Sequence, residues 1–171
     1  MKKYEFTGET KEIRLLFRTA TLHRIRATVA FGIVEVGDLG GWIEKEENLS
    51  HEGKAWVWGD AEVWGDAEVC GDAKVWGNAE VWGNAEVFSA SHVLVIGAIG
   101  SRNGFTTFYR DKDNEITVKC GCFLGKIDRF LEKVTQTHGD SKYALVYRAA
   151  VEVAKLQIDL SGEAPKDADE E

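Results

Sequence analysis

The residues best suited to chemistry cluster around Gly100-Ser101-Arg102-Asn103-Gly104. Glycine on both sides of Ser-Arg-Asn leaves successive backbone N–H groups open beside one guanidinium, a combination suited to holding an anion. No Gly-Lys-Ser/Thr follows, so the stretch is not a Walker loop. Thr106, Thr107, Tyr109 and Arg110 come next, and Lys119, Lys126 and His138 can add charge nearby. The candidate ligand site is therefore Gly100, Ser101, Arg102, Asn103, Thr107, Tyr109 and Arg110, with Tyr109 or Phe105 available to stack on a base. The plainer alternative is a tight connection carrying a surface arginine.

Other chemistry is thinly supported. The four histidines stand at 23, 51, 92 and 138, and none shares metal-ligand spacing with another. Cys120 and Cys122 lack the second pair that a zinc site needs. The expectation is no metal and no cofactor. Three cysteines give no disulfide framework and suit a reducing compartment. No apolar run reaches membrane length. These features predict a soluble, cytoplasmic protein with no membrane partner. The net charge of −8 disfavours generic nucleic-acid binding.

The elements that must position the loop are organised by a repeat. Gly53 to Phe88 reads GKAWVW, GDAEVW, GDAEVC, GDAKVW, GNAEVW, GNAEVF, six hexads without insertion. Exact short periods mean stacked coils that bury one another. Within Ala-x-Val the alternation sends Ala and Val one way and Glu and Trp the other. The Gly-Asp or Gly-Asn pair then turns the chain. Three strands and three turns close a coil of 18 residues, with Val57, Val63, Val69, Val75, Val81 and Val87 inside.

That spacing stacks Trp58 under Trp76, Trp64 under Trp82 and Cys70 under Phe88. Contiguous exposed aromatic area marks an interface, so Trp58, Trp64, Trp76, Trp82 and Phe88 are the candidate contact residues of a homo-oligomer, dimer or trimer. The cap helices are the alternative interface. Such ladders can also simply stabilise a sheet. Glu62, Glu68, Glu80 and Glu86 form acidic strips, and residues 59–88 hold seven acids against one lysine.

Ahead of the hexads, 1–33 reads as an N-terminal β lid, with strands at Lys3–Gly8 and Thr21–Phe31. Residues 34–96 read as the coil region, beginning with an imperfect coil and interrupted over Glu44–Glu52 by a polar loop or a distorted edge. Residues 97–160 read as an α/β cap: a hairpin, a helix carrying Ile127, Phe130, Leu131 and Val134, and a second helix. The apolar face expected for that second helix is Val146, Ala149, Ala150, Val153 and Leu156. Residues 161–171 read as an acidic flexible tail.

The hexads resemble the hexapeptide-repeat, left-handed parallel β-helix proteins. The fold class this implies is mainly β: a short left-handed β-helix with an N-terminal β lid and a ββαα cap. Many hexapeptide proteins are acyltransferases with a catalytic histidine in a protruding loop. The hexads here contain neither, which leaves acyl transfer as the alternative activity and a non-enzyme as the expectation.

A second resemblance covers nearly the whole chain. The opening Tyr4-Glu-Phe-Thr-Gly-Glu-Thr, the segment Gly37-Asp-Leu-Gly-Gly-Trp-Ile and the hexads are similar to a group of phage and prophage proteins. So is a cap with Ile99-Gly-Ser-Arg-Asn, Thr-Thr-Phe-Tyr-Arg, Cys-Gly-Cys-Phe and Thr-His-Gly-Asp. The resemblance implies antagonism of a host defence system inside an infected or lysogenic bacterium. Two forms stay open. One is sequestration of a small nucleotide-type anion in the cap. The other is an anti-CRISPR-like occupation of a host protein complex by the acidic hexads. A purely structural oligomeric phage protein is a further alternative.

Overall fold

In a computed structural model, which describes residues 1–15 and 18–162, the chain is mainly β with two helices at its C-terminal end. The acidic tail expected over 161–171 lies, from residue 163 on, outside the described residues.

Each hexad contributes one two-residue strand: β4 (Trp56–Val57), β5 (Glu62–Val63), β6 (Glu68–Val69), β7 (Lys74–Val75), β8 (Glu80–Val81) and β9 (Glu86–Val87). They pair in parallel, β4 with β7, β5 with β8 and β6 with β9, so that Glu62 faces Glu80 eighteen positions on. The valines and the preceding alanines of all six hexads are buried in one core. The hexad glycines turn the chain at positive φ. At Gly71, φ is 61° and an added Cβ would stand 2.6 Å from the Phe88 carbonyl oxygen three hexads on.

The N-terminal segment is a long hairpin, β1 (Tyr4–Arg14) with β2 (Thr19–Ala27), longer than the sequence suggests. β2 runs antiparallel to β3 (Leu39–Ile43), and β3 runs parallel to β5, so the hairpin extends one sheet of the hexad segment. Tyr4, Ile25 and Ala27 enter the main core. Glu44–Glu52 is not a plain interruption. Leu49 bridges to Val69 in parallel, and the buried Asn48 donates from Nδ2 to the carbonyls of Gly65 at 3.1 Å and Ala67 at 2.8 Å. An asparagine so placed satisfies turn carbonyls that the irregular coil would leave orphaned.

The cap is a four-stranded antiparallel sheet rather than a hairpin: β10 (Val93–Ile99), β11 (Gly104–Arg110), β12 (Ile116–Cys120) and β13 (Phe123–Lys126). β10 spans residue 97, where the sequence placed the cap's start. One face, with Val93, Val95, Tyr109 and Leu124, lies on the hexad core. The other, with Leu94, Ile96, Phe108 and Val118, lies on α1 (Ile127–His138) and α2 (Lys142–Gln157). α1 buries Phe130 and Val134 as its spacing predicts. α2 buries Ala144, Tyr147, Ala150, Val151 and Ala154, whereas Val153 and Leu156 face outward. No helix among the described residues is long and apolar enough to cross a membrane.

Candidate functional site

The expected cap site comes apart in the structure because β11 is buried on both faces. Thr107 Oγ1 accepts the Glu80 backbone N–H at 3.1 Å, and Tyr109 donates to the Trp82 carbonyl at 2.9 Å; both side chains join cap to hexads. Arg110 is 2% exposed. Its guanidinium lies over the Phe88 ring, 4.6 Å from the centroid, and donates to Asn114 Oδ1 and to the Gly162 carbonyl at 2.7 Å. Beside it, burial and then the Arg110 charge hold the His92 imidazole below its usual pKa, and its Nδ1 accepts the Phe88 N–H at 3.4 Å. Thr107, Tyr109 and Arg110 are thus structural, and not part of an open anion site.

The glycine-rich loop keeps other company. Gly100 has φ 75° and packs so closely on Tyr147 that an added Cβ would overlap the phenolic oxygen. Thr106 Oγ1 donates to Cys120 Sγ at 3.2 Å, and that sulfur is 3.9 Å from Tyr147 Oη. His138 stacks on the Tyr147 ring at 5.8 Å. Burial, then the neighbouring Cys120, push the Tyr147 phenol up to about 12, with Arg102 acting the other way. Ser101, Arg102 and Asn103 remain exposed. The loop therefore brings Arg102 towards a protonated phenol and a thiol, and away from Tyr109 and Arg110.

The acidic turn after β11 brings Asp111, Asp113 and Glu115 together. Lys126 Nζ fills the cluster, paired with Asp111 and lying 2.6 Å from Glu115. Thr117 adds a 2.6 Å bond to the fully buried Asp111. Burial opposes ionisation of Asp111, but Lys126, Thr117 and two backbone N–H groups outweigh it and hold its carboxyl below the ordinary range. An ammonium already stands where a cation would sit.

The tryptophan ladders differ. Trp64 stacks on Trp82 at 5.6 Å and 15°, but it is 2% exposed. The tip of the hairpin covers that ladder with Leu22, Ile13 and Leu15. The expectation that Trp64 and Trp82 meet a partner fails for Trp64, because the chain itself supplies the cover. The acidic strips are half engaged as well. Glu62 pairs with Lys11 at 2.7 Å and Glu80 with Lys119 at 2.8 Å, while Glu68 is exposed.

The other ladder is open. Trp58 and Trp76 lie 6.4 Å apart, and Trp76 is 51% exposed. Against Trp58 a groove of about 320 Å³ runs between the Phe31–Val34 turn and the hexads, lined also by Trp56, Lys54, Lys74, Asp72 and the 89–90 turn among others. That volume is at the lower end of small-ligand pockets. Among the described residues neither lysine is in an ion pair, and Lys74 Nζ lies 5.8 Å from the Trp76 centroid.

Sequence reasoning missed this groove, yet a signal exists. Lys54 stands where later hexads carry Asp or Asn, and Trp56 and Lys74 where the other four carry Glu. These three departures from the repeat line one groove. Compared with protein-family models and with curated proteins, the chain matches none.

Proposed function

We propose that this is a non-catalytic binding protein that captures a flat, anionic, nucleotide-type ligand in the groove beside Trp58 and Trp76. The carrying observation is that the hexads exchange Asp and Glu for Lys54, Trp56 and Lys74 at that groove alone. In a repeat otherwise rich in acids, two lysines in no ion pair among the described residues, with Lys74 beside the Trp76 ring, favour a partner with negative charge and a planar ring. Asp72 on the same wall opposes a high charge and favours a mono- or dianion.

The hexad segment serves as its scaffold, and we read it as a short left-handed β-helix. Its parallel ladders at eighteen-residue offset support that reading. The resemblance to phage proteins supports a role as an antagonist of a bacterial defence that signals with such ligands. Engagement of Glu62 and Glu80 by the chain's own lysines weakens the alternative of an acidic surface reading a host complex.

The test is tryptophan fluorescence titration with mononucleotides and cyclic dinucleotides. We expect quenching, and at least a tenfold loss of affinity in the Lys54→Glu/Lys74→Glu double variant, since charge-assisted contacts contribute about 1.5–3 kcal/mol. Absence of quenching at millimolar nucleotide refutes the assignment.

A further inference from the structure

α2 carries two apolar faces. Ala144, Tyr147, Ala150, Val151 and Ala154 pack inward on the cap sheet and α1. Leu145, Ala149, Val153 and Leu156 follow at i, i+4, i+8 and i+11, and all are exposed. Leu156 is 90% exposed, Leu145 59% and Val153 47%. At 100° per residue the midpoints of the two faces lie about 170° apart. Single exposed leucines need no explanation. A stripe over three turns, opposite a complete core face, does.

We propose that this stripe is the seam of a two-fold dimer, in which α2 packs antiparallel on α2 of a second copy. The flanking charges select both partner and direction. When Leu145 stands opposite the second copy's Leu156, Arg148 falls beside its Glu152 on the same flank of the seam. The two-fold axis repeats the pair. A parallel two-fold would instead carry Arg148 of one copy and Glu152 of the other to opposite flanks of the seam and lose that pair. Within one chain Glu152 has only an exposed pair with Lys155 at 3.0 Å, while Arg148 donates to the Gly139 carbonyl at 3.1 Å and to Thr135 Oγ1 at 3.3 Å, which holds its guanidinium at the edge of the stripe. The seam is on the opposite side of the cap sheet from the hexad core, so it leaves the groove at Trp58 and Trp76 free.

One helix pair is a small interface, so a micromolar dissociation constant is expected. Sedimentation velocity of the full chain from about 1 to 200 µM tests the proposal. A concentration-dependent shift from the 19.0 kDa monomer to twice that mass is expected. Leu156→Glu should stay monomeric throughout with an unchanged melting temperature, because the residue is 90% exposed. Glu152→Arg should weaken association at least tenfold, and Arg148→Glu/Glu152→Arg should restore it. A wild type that stays monomeric at the highest concentration overturns the dimer. So does an oligomer indifferent to Leu156→Glu, or retention of the stripe on phosphatidylglycerol vesicles in place of self-association.

Discussion

Tyr109 donates its hydroxyl to the backbone carbonyl of Trp82 at 2.9 Å, and this bond joins the cap sheet to the last hexads. The ring is fully buried, and burial raises the phenol's pKa, so the donor proton is kept at any physiological pH. Thr107, two residues earlier, takes the Glu80 N–H. Cap and hexads are thus bonded along the same strand that faces both cores.

Tyr109→Phe should therefore lower stability by about 1–2 kcal/mol, the cost of leaving one buried carbonyl unpaired. Chemical denaturation checks it through a shifted midpoint at constant slope. An unchanged midpoint would mean that water replaces the hydroxyl there.

Gly100→Ala should cost more. The substitution sets a Cβ against the Tyr147 ring and oxygen at φ 75°, so both overlap and backbone strain act. A loss of about 2–4 kcal/mol is expected, with the helices affected before the hexads. Near-ultraviolet circular dichroism reports Tyr147 directly, and a wild-type spectrum and melt would contradict the packing described.

The pH dependence has one distinctive contributor. Burial lowers the Lys3 ammonium to about 8, despite bonds to the Ala55 carbonyl at 2.9 Å and the Glu52 carbonyl at 3.2 Å. Its folded pKa lies below the unfolded 10.5, so the unfolded chain binds more protons between those values. The penalty is fully present below pH 8 and fades as pH rises towards 10.5. Relative to Lys3→Met, the wild type should gain stability between pH 8 and 10 by an amount on the order of 1–3 kcal/mol. Parallel pH profiles of the two proteins would show that Lys3 is not desolvated.

The hexad interior was legible in the sequence because the repeat states burial residue by residue: every Val and Ala points in, and nothing competes. The helix positions were legible too, from Phe130 and Val134. What stayed hidden depends on contacts distant in sequence. Periodicity cannot report that the hairpin tip covers Trp64. On a strand buried on both sides, Thr107, Tyr109 and Arg110 look like free polar groups, although each has a partner across a different interface. α2 has apolar residues on two opposite faces, so spacing alone could not say which one the cap sheet takes. The groove was written in the sequence as breaks in the repeat at Lys54, Trp56 and Lys74, which a reading by consensus passes over.

The offset of eighteen between paired strands also constrains how the protein can change length. Removing one of the first four hexads would pass every later strand to a different ladder and break the register with β3, while the cap would keep its bonds to Glu80 and Trp82. Removing or adding three hexads would keep each remaining strand in its own ladder. Growth or shrinkage by recombination within the repeat is thus quantised in steps of three hexads, the interval at which the strands pair.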